Sequence, residues 1–494
     1  MSKLNFGWGE VSLVPEGKRI NLAGQFYERI TDEVRDPISV TALAIEGDDI
    51  AIFCSCDLES TSYTLLCAVR EILKNEKSFP YYNKVIINAI HSHTSLSYAH
   101  SNDAYGSTLS VLDKYTPEGV GYEELAKDDS GDLLDGEAAF DFLAQKIAEA
   151  AILAYNDLKA GKYAPGFGRA AVGMCRRVCY DDGSAKMWGD TNFANFTELE
   201  GGNDSGIEML FITDENENLT GVVANLACPA QTLEHRSVIS ADFWGDVKKN
   251  LRAKFGSDLH LLPLCSPAGD QCPRDMIRWV EPESPINDPN IIRENVPYRR
   301  ADPSMFDVKG CVRAARRITD EILYAYEDIE TYISDAEFVH KTINLDMPVR
   351  RVTIEEKDRA LEAIKSFFAN HKGTLTFKDN AAMHVHAGTV MRYEVQQTVD
   401  TDEIEIHVLR LGDVAFATSP YELFLDYGNR IRSRSRAAQT FLVQLCCGSK
   451  GYLPTEKAEK GGHYSAYVSS GTSGHEGGDL LVRKTLSEIN QMFK

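Results

Sequence analysis

The sequence predicts an α/β fold, because short β-branched segments alternate with longer amphipathic segments along the chain. Short, largely apolar runs such as residues 221–228 are typical of buried strands. Longer segments with apolar positions three or four residues apart, such as residues 138–158, are typical of helices that bury one face. Polar groups also recur directly after predicted strands, and open α/β sheets bind ligands at the carboxyl ends of their strands.

Strands and helices can be assigned in order along the chain. The predicted strands cover residues 49–56, 84–90, 171–180, 221–228, 260–265, 405–417 and 440–446. The predicted helices cover residues 61–75, 138–158, 244–255, 307–326 and 354–371. Polar loops are expected at residues 101–136 and 280–303. No repeat or sharp linker divides the chain, so we expect a single domain over residues 1–494, with a candidate subdomain at about 330–400.

Composition excludes several classes of protein. The net charge is −22, which argues against a nucleic-acid partner and against docking on an anionic membrane. We see no secretory signal at the start and no apolar run near the ~18 residues of a membrane span. Eleven irregularly spaced cysteines suit free thiols in a reducing cytosol. We therefore expect a cytoplasmic protein with a small-molecule substrate and no stable membrane association, and we leave open whether it forms a homo-oligomer.

His91 and His93 end a predicted strand and are the leading candidates for site residues. Five of the six residues at 85–90 are apolar and four are β-branched. Alternate residues of a strand share a face, so the two imidazoles should point the same way. Imidazole binds metals and titrates near neutral pH, so one segment could supply a metal ligand and a proton-handling group. Two polar residues in a surface loop are the alternative interpretation.

Five polar groups follow predicted strands, and we expect them to meet in one site. They lie at residues 91–93, 228–231, 266–274, 419–422 and 448–452. A second His-x-His pair, His384 and His386, lacks such partners, and a surface or subunit contact is the favoured interpretation. His463 and His475 lie in a Gly/Ser-rich stretch that we expect to form a flexible flap over the site. Cysteines 54, 56, 446 and 447 lie in apolar runs and are expected to be core thiols.

These motifs resemble those of the neutral/alkaline non-lysosomal ceramidase family, in the same order and over nearly the full chain. The family has a Thr-His-Thr-His-Ser segment, matched by residues 90–94, and a Gly-Tyr-Ile-x-Thr segment, matched by residues 451–455. Further matches lie at residues 228–229 with 239–242, at 266–274 and at 412–422. The resemblance implies a divergent N-terminal catalytic domain with mixed β-sheets and flanking helices, without a C-terminal immunoglobulin-like domain.

The resemblance also implies one zinc ion per chain. In the family, the zinc is held by the first His of the His-x-His pair, a second His, a Glu and a Tyr. Position by position, this implies His91, Glu422 and Tyr452 as ligands here. Iron or manganese would suit the same ligand types.

The second zinc-binding His of the family falls on Cys228, which is the main departure from the family pattern. A cysteine thiolate is also a good zinc ligand. The alternative is a buried thiol at Cys228, with Gln231, His235 or a water molecule in its place.

The proposed nucleophilic Ser of the family falls on Cys272, which is the second departure. A thiolate there could attack the substrate if the metal, Arg176 or a helix N-terminus stabilised it. We favour a metal-activated water as the attacking group, because zinc lowers the pKa of bound water to near neutrality without a side-chain nucleophile.

The remaining candidates surround the reacting group. Arg176 matches the Arg of a family Asn-Arg segment and would stabilise a developing oxyanion or a polar substrate group. Apolar residues at 172, 174 and 178 predict a strand that holds one of Arg176 and Arg177 inward.

His93 would contact substrate or shuttle protons. Tyr464 matches a second family Tyr near the reacting carbonyl, while Asp270 either orients a ligand or fixes its own turn. The candidate substrate contacts are Arg177, Gln231, His235 and His463.

Three hypotheses about function follow. The first is a zinc-dependent hydrolase that cleaves an amide-type bond in a small polar substrate, sugar-derived or N-acylated. We do not expect ceramide itself, because the second zinc His and the catalytic Ser are replaced. The second is a glycoside hydrolase, or another hydrolase on the same scaffold, that uses Cys272 covalently. The third is a non-catalytic binding protein.

Overall fold

The computed structural model describes residues 2–25, 27–100, 108–121, 131–280, 300–301 and 306–494. Within these residues the chain has an α/β fold with mixed sheets and flanking helices, as the sequence predicts. The loop expected at 280–303 lies almost entirely outside the described residues, and the loop expected at 101–136 lies partly outside them.

The larger sheet has eight strands. In chain order they are β1 (Asn5–Ser12), β2 (Ser39–Glu46), β3 (Ile50–Cys56), β4 (Val85–Ala89), β5 (Lys159–Arg169), β6 (Gly206–Asp214), β7 (Leu219–Leu226) and β8 (His260–Cys265). Their spatial order is β8-β7-β6-β5-β1-β2-β3-β4. The pairs β7–β8 and β3–β4 are parallel and the other neighbours are antiparallel. The parallel pairs place the carboxyl ends of neighbouring strands at the same edge of the sheet.

The smaller sheet has four strands. In chain order they are β9 (Phe338–Pro348), β10 (Thr401–Leu411), β11 (Val414–Thr418) and β12 (Gln439–Val443). Only β11 and β12 pair in parallel. The prediction of one strand over 405–417 is wrong, because the chain reverses at Gly412 between β10 and β11. Gly412 has a φ of +58°, and a Cβ there would lie 2.4 Å from the Tyr163 hydroxyl, so a glycine suits this turn.

Short strands complete the β-structure. They are Ser2–Lys3, Arg19–Asn21, Ile30–Thr31, Leu133–Leu134, Met174–Cys175, Arg177–Tyr180, Ala185–Met187, Phe196–Leu199, Gln271–Cys272, Trp279–Val280, Arg300–Ala301, Asp335–Ala336, Glu422–Leu423 and Tyr452–Leu453.

Ten α-helices lie within the described residues. They are α1 (Tyr63–Asn75), α2 (Thr108–Asp113), α3 (Gly136–Asn156), α4 (Phe243–Phe255), α5 (Asp307–Glu327), α6 (Ile354–Asn370), α7 (Phe377–Val395), α8 (Leu425–Arg432), α9 (Glu456–Gly461) and α10 (His475–Met492). Side chains of Ser62 and Asp135 accept from backbone N–H groups at the starts of α1 and α3. Thr353 and Thr376 form capping boxes that begin α6 and α7. The five predicted helices are confirmed to within two residues at every end.

Hydrogen bonds join the strand ends into one region. The side-chain hydroxyl of Ser55 on β3 donates to the carbonyl of Pro263 on β8, so the larger sheet curves until these distant strands meet. The segment that follows β12 fills the space between them. Gln444 N donates to Cys265 O at 2.9 Å, and Ala89 N donates to Leu445 O at 3.1 Å. The carboxyl ends of β3, β4, β7, β8 and β12 therefore lie together.

Four buried clusters lie among the described residues, and the smallest is formed by Val178, Tyr180 and Met276. The largest lies around the larger sheet with α1, α3, α4 and α5, and the second joins the smaller sheet to α8 and α10. The third belongs to α6, α7 and α2, so the separately packed part of the candidate subdomain at 330–400 is the helical pair. All eleven cysteines are free thiols, as expected. Among the described residues, no helix is long and apolar enough to cross a membrane.

Candidate metal centre at the strand ends

His91 and His93 lie together just beyond β4, as the strand pattern predicts. The two Nε2 atoms are 3.4 Å apart and both imidazoles are buried. His91 has a φ of +67°, a left-handed conformation that is uncommon outside glycine and is often found at functional sites. The Nε2 atom of His91 also lies 3.5 Å from Oε2 of Glu422.

The hydrogen bonds of His91 fix where its lone pair points. Its Nδ1 lies 2.8 Å from the carbonyl oxygen of Glu59, and a carbonyl can only accept. In the neutral imidazole the proton is therefore on Nδ1, and the Nε2 lone pair faces Glu422 and His93. A lone pair that faces a buried carboxylate is favourable only if a cation, a proton or a metal ion, lies between them.

Glu59 was not predicted from the sequence and belongs to this cluster. Side-chain ligand atoms of Glu59, His91 and His93 all lie within 4.8 Å of one another. Glu59 follows β3 by three residues, and β3 runs parallel to β4. Its position after a strand was the available signal, but no motif accompanied it.

Glu422 and Tyr452 are brought together by backbone pairing. They are register partners in a two-stranded parallel pair, so their side chains leave the same face. Gly269 packs against this pair, where a Cβ would lie 2.4 Å from the Glu422 carbonyl oxygen. Burial raises the pKa of Glu422, although the charges of His91 and Arg176 lower it in part. The pKa of Tyr452 is held well above its ordinary value, first by burial and then by Glu422.

Arg176 reaches the same point from the short strands at 174–180. Its Nη2 lies 3.4 Å from the Tyr452 hydroxyl and 3.1 Å from the Gly269 carbonyl oxygen. The Tyr464 hydroxyl is 3.2 Å from that of Tyr452. Burial raises the pKa of Tyr464 to about 12, so its hydroxyl is protonated and can donate.

Gln231 fixes the protonation of His93. Its Oε1 accepts from Arg176 Nη1 at 3.4 Å, which orients the amide so that Nε2 donates to His93 Nε2 at 2.8 Å. Burial and the neighbouring cations hold the pKa of His93 well below its usual value. His93 is therefore neutral, with the proton on Nδ1, which lies 3.9 Å from Oε2 of Glu234.

Arg177 is buried as well as Arg176, so both arginines lie inward where the sequence predicted one. Arg177 forms a bidentate pair with Glu200 at 2.5 and 2.9 Å. Its other N–H groups donate to Tyr464 O, Ser465 Oγ, Ala458 O and Gly462 O. All five donors are engaged by protein atoms, so Arg177 positions the segment that carries Tyr464 and does not fit the expected role of a substrate contact.

The two cysteines at the departures from the family pattern are buried thiols. Cys228 Sγ lies 3.5 Å from the Pro229 carbonyl oxygen, and Cys272 Sγ lies 3.4 Å from that of Arg274. Burial raises the pKa of Cys228 well above its ordinary value and that of Cys272 to about 12. A neutral thiol is a poor nucleophile, so this environment disfavours attack by Cys272.

Asp270 fixes local structure, one of its two expected roles. Its Oδ1 accepts from Leu425 N at 2.9 Å at the start of α8, and its carbonyl accepts from Arg176 N at 2.9 Å. Burial raises its pKa from 3.8 to about 6, with the Leu425 hydrogen bond opposing the shift. Asp270 thereby links the strand that holds Arg176 to the helix that follows Glu422.

The raised pKa of Asp270 makes folding stability depend on pH. The folded protein holds this proton more tightly, so its stabilisation is complete below about pH 4 and is lost as the pH rises through about 6. The difference in pKa corresponds to about 3 kcal/mol. We expect the unfolding free energy of the wild type, minus that of Asp270→Asn, to fall by about this amount between pH 4 and 7.5. Equal differences at both pH values, measured by urea denaturation, would contradict the assignment.

The other candidate histidines lie apart from this cluster. His235 stacks on Phe306, and its Nε2 lies 3.6 Å from Asp307. His463 Nδ1 accepts from Met187 N at 3.1 Å. His384 and His386 lie on α7 and belong to neither of the two groups of potential metal ligands among the described residues.

Two charged residues near His93 were not assigned roles from the sequence. Arg274 forms an ion pair with Glu234, and its guanidinium carbon lies 3.6 Å from the ring centre of Phe306 and 4.5 Å from that of Trp188. Arg274 ends the 266–274 motif, which is the signal that could have identified it. Together with Glu234 it makes the surroundings of His93 strongly polar.

Comparison with known proteins identifies this architecture. No family model matches the chain, and no curated protein does. Among solved structures, the neutral ceramidase from Pseudomonas aeruginosa is similar with a TM-score of 0.65 and 16% identity, over 99% of this chain and 75% of that one. A structure described as ceramidase complexed with C2 is similar with a TM-score of 0.65 and 14% identity, over 99% of this chain and 76% of that one. At these identities the likeness establishes a shared fold, as the sequence motifs predict.

Proposed function

We propose that this chain, which has the fold of neutral ceramidases, is a metal-dependent hydrolase that cleaves an amide-type bond in a small polar substrate. The observation that carries the proposal is the buried Nε2 lone pair of His91, which faces the Glu422 carboxylate at 3.5 Å. Arg274 and Glu234 beside His93 favour a polar substrate, sugar-derived or N-acylated. The free cysteines suit a cytoplasmic enzyme.

The donor set fits a divalent transition metal. His91, Glu422 and Tyr452 would hold it, with Glu59 or Cys228 as a further donor. Imidazole, carboxylate and thiolate ligands suit zinc, and without the thiolate they also suit iron or manganese. When bound, the metal would polarise a carbonyl group and lower the pKa of a water molecule.

The protein's own groups would handle the proton and the developing charge. Neutral His93 offers Nε2 as a proton acceptor once substrate or water displaces Gln231. Arg176 carries a permanent charge and has a buried Nε with no partner among the described residues. It lies 3.4 Å from the Tyr452 hydroxyl, which in turn contacts Tyr464. Arg176 and Tyr464 are therefore placed to stabilise an oxyanion.

Elemental analysis with an activity screen tests this function. We expect wild-type protein to bind zinc and to hydrolyse members of a panel of N-acyl amines and N-acyl amino sugars, with activity lost on chelation and restored by zinc. If Cys228 is a ligand, Cys228→Ala will lose metal affinity while His235→Ala keeps it. Retention in both variants would assign the remaining position to Glu59 or water. Protein that binds no metal after reconstitution would contradict the proposal and favour a binding protein.

Replacement of Cys272 separates the water mechanism from covalent catalysis. We expect Cys272→Ala to retain activity within about tenfold of wild type, because its buried thiol is protonated at neutral pH. Intact-protein mass spectrometry during turnover should detect no adduct. An adduct on Cys272, or a loss of about 10³-fold or more, would instead favour the covalent alternative, including a glycoside hydrolase.

A further inference from the structure

A second group of potential metal ligands lies beside β4, outside the site described above. Glu405, His407 and Cys447 offer ligand atoms that all lie within 4.8 Å of one another. His407 Nε2 is 2.9 Å from Glu405 Oε1 and 3.5 Å from Cys447 Sγ. None of the three takes part in the proposed hydrolysis. The sequence-based expectation placed Cys447 only among the core thiols.

The hydrogen bonds of two neighbouring histidines, His340 and His407, fix the direction of the His407 lone pair. His340 Nδ1 lies 3.0 Å from the Ile50 carbonyl oxygen and must donate to it. With its proton on Nδ1, a neutral His340 ring can only accept at Nε2. That Nε2 lies 2.9 Å from His407 Nδ1, which must then be the donor. In neutral His407 the Nε2 lone pair therefore faces the Glu405 carboxylate.

The same reasoning was applied to His91, and here too a proton or a metal ion must lie between the His407 Nε2 atom and the Glu405 carboxylate. Glu405 is a carboxylate, because Arg70 holds both of its oxygens at 2.9 and 2.7 Å. The separations around His407 Nε2 suit atoms bound to one ion, since zinc lies about 2.0–2.1 Å from nitrogen and about 2.3 Å from sulfur. His340 then has the role of the group that accepts from the second ring nitrogen of a metal-bound His.

We propose that Glu405, His407 and Cys447 bind a second divalent metal ion, with zinc as the best match to a Glu/His/Cys donor set. The ion would link β10 to the segment after β12. That segment pairs with β4, because Cys447 N donates to Ile87 O at 2.8 Å and Ala89 N donates to Leu445 O at 3.1 Å. Its role is structural: it holds in place β4, the strand that precedes His91. The proposal does not depend on the chain being a hydrolase.

Metal counting in four proteins tests the proposal. After zinc loading and exhaustive dialysis, we expect elemental analysis to give two zinc ions per chain in wild type and one in Cys447→Ser. Cys446→Ser is the matched control and should keep two, because Cys446 contacts the Cys447 thiol but supplies no ligand. His91→Ala should keep the second ion. An unchanged zinc content in Cys447→Ser would overturn the proposal.

Cobalt titration of metal-stripped protein keeps the test decisive if Cys447→Ser does not fold. We expect a thiolate-to-cobalt charge-transfer band that survives in Cys228→Ala, which assigns it to Cys447. A band that is absent, or lost in Cys228→Ala, would mean that a proton on His407 occupies this position, and the proposal would fail. Zinc that is lost in Cys447→Ser but not in His91→Ala would instead leave this site standing while the first site fails.

Discussion

Replacing His91 with alanine is expected to abolish metal binding at the strand-end site and to lower the rate of hydrolysis by about 10³-fold or more. The variant removes the ring whose Nε2 lone pair faces Glu422 at 3.5 Å. Loss of a Lewis acid removes several kcal/mol of transition-state stabilisation, and each 1.36 kcal/mol corresponds to a tenfold change in rate. Elemental analysis and steady-state kinetics on the same preparations would measure both effects.

His386→Ala is the matched control, because it removes one imidazole from the other His-x-His pair, on α7. We expect the rate and the strand-end metal to be unchanged in this variant. Circular dichroism should show the same helix content in both variants. His91→Ala that keeps its metal and at least a tenth of its activity would contradict the proposed centre.

Replacing Arg177 with methionine is expected to lower the free energy of unfolding by about 3–5 kcal/mol, the largest stability effect we anticipate. The change leaves the Glu200 carboxylate, only 5% exposed, without its bidentate partner. It also removes four hydrogen bonds to the segment 458–465, which carries Tyr464. Urea denaturation followed by tryptophan fluorescence would measure the loss.

Arg434→Met serves as the control, because Arg434 is exposed and, within the described part of the chain, its side chain donates only to the carbonyl of Arg430. We expect a change within about 0.5 kcal/mol there. The double variant Arg177→Met with Glu200→Leu should recover part of the loss, because no buried charge is left unpaired. A loss below 1 kcal/mol in Arg177→Met would mean that the pair does not stabilise this segment.

Much of the fold could be predicted from periodicity because its main elements bury a regular set of positions. The apolar run at 85–90 forms β4, and the helix expected at 138–158 forms α3. The hairpin at Gly412 was missed because apolar residues continue on both sides of it, so the alternation did not reveal the reversal. A glycine followed by Asp413 was the turn signal there.

The site was harder to predict because its partners are distant in sequence. Strand alternation suggested that the side chains of Arg176 and Arg177 leave opposite faces of the strand. It did not show that other protein segments bury both of these faces. Here the regular strand breaks between Cys175 and Arg177, and Glu200 provides a partner on the second face. Glu59 lacked a motif, and only the parallel pairing of β3 with β4 shows that it lies beside His91.

Because Glu422 pairs with Tyr452, the site requires a fixed number of residues between β11 and Glu422. Each of the two short strands contributes only two residues to this pair, and successive side chains of a strand point to opposite faces. A single inserted residue just before Glu422 would turn its carboxylate away from His91 without disturbing either sheet. In a set of related sequences, the spacing from β11 to this glutamate should therefore be held as strictly as the identity of the ligands, while the composition of that loop is free to drift.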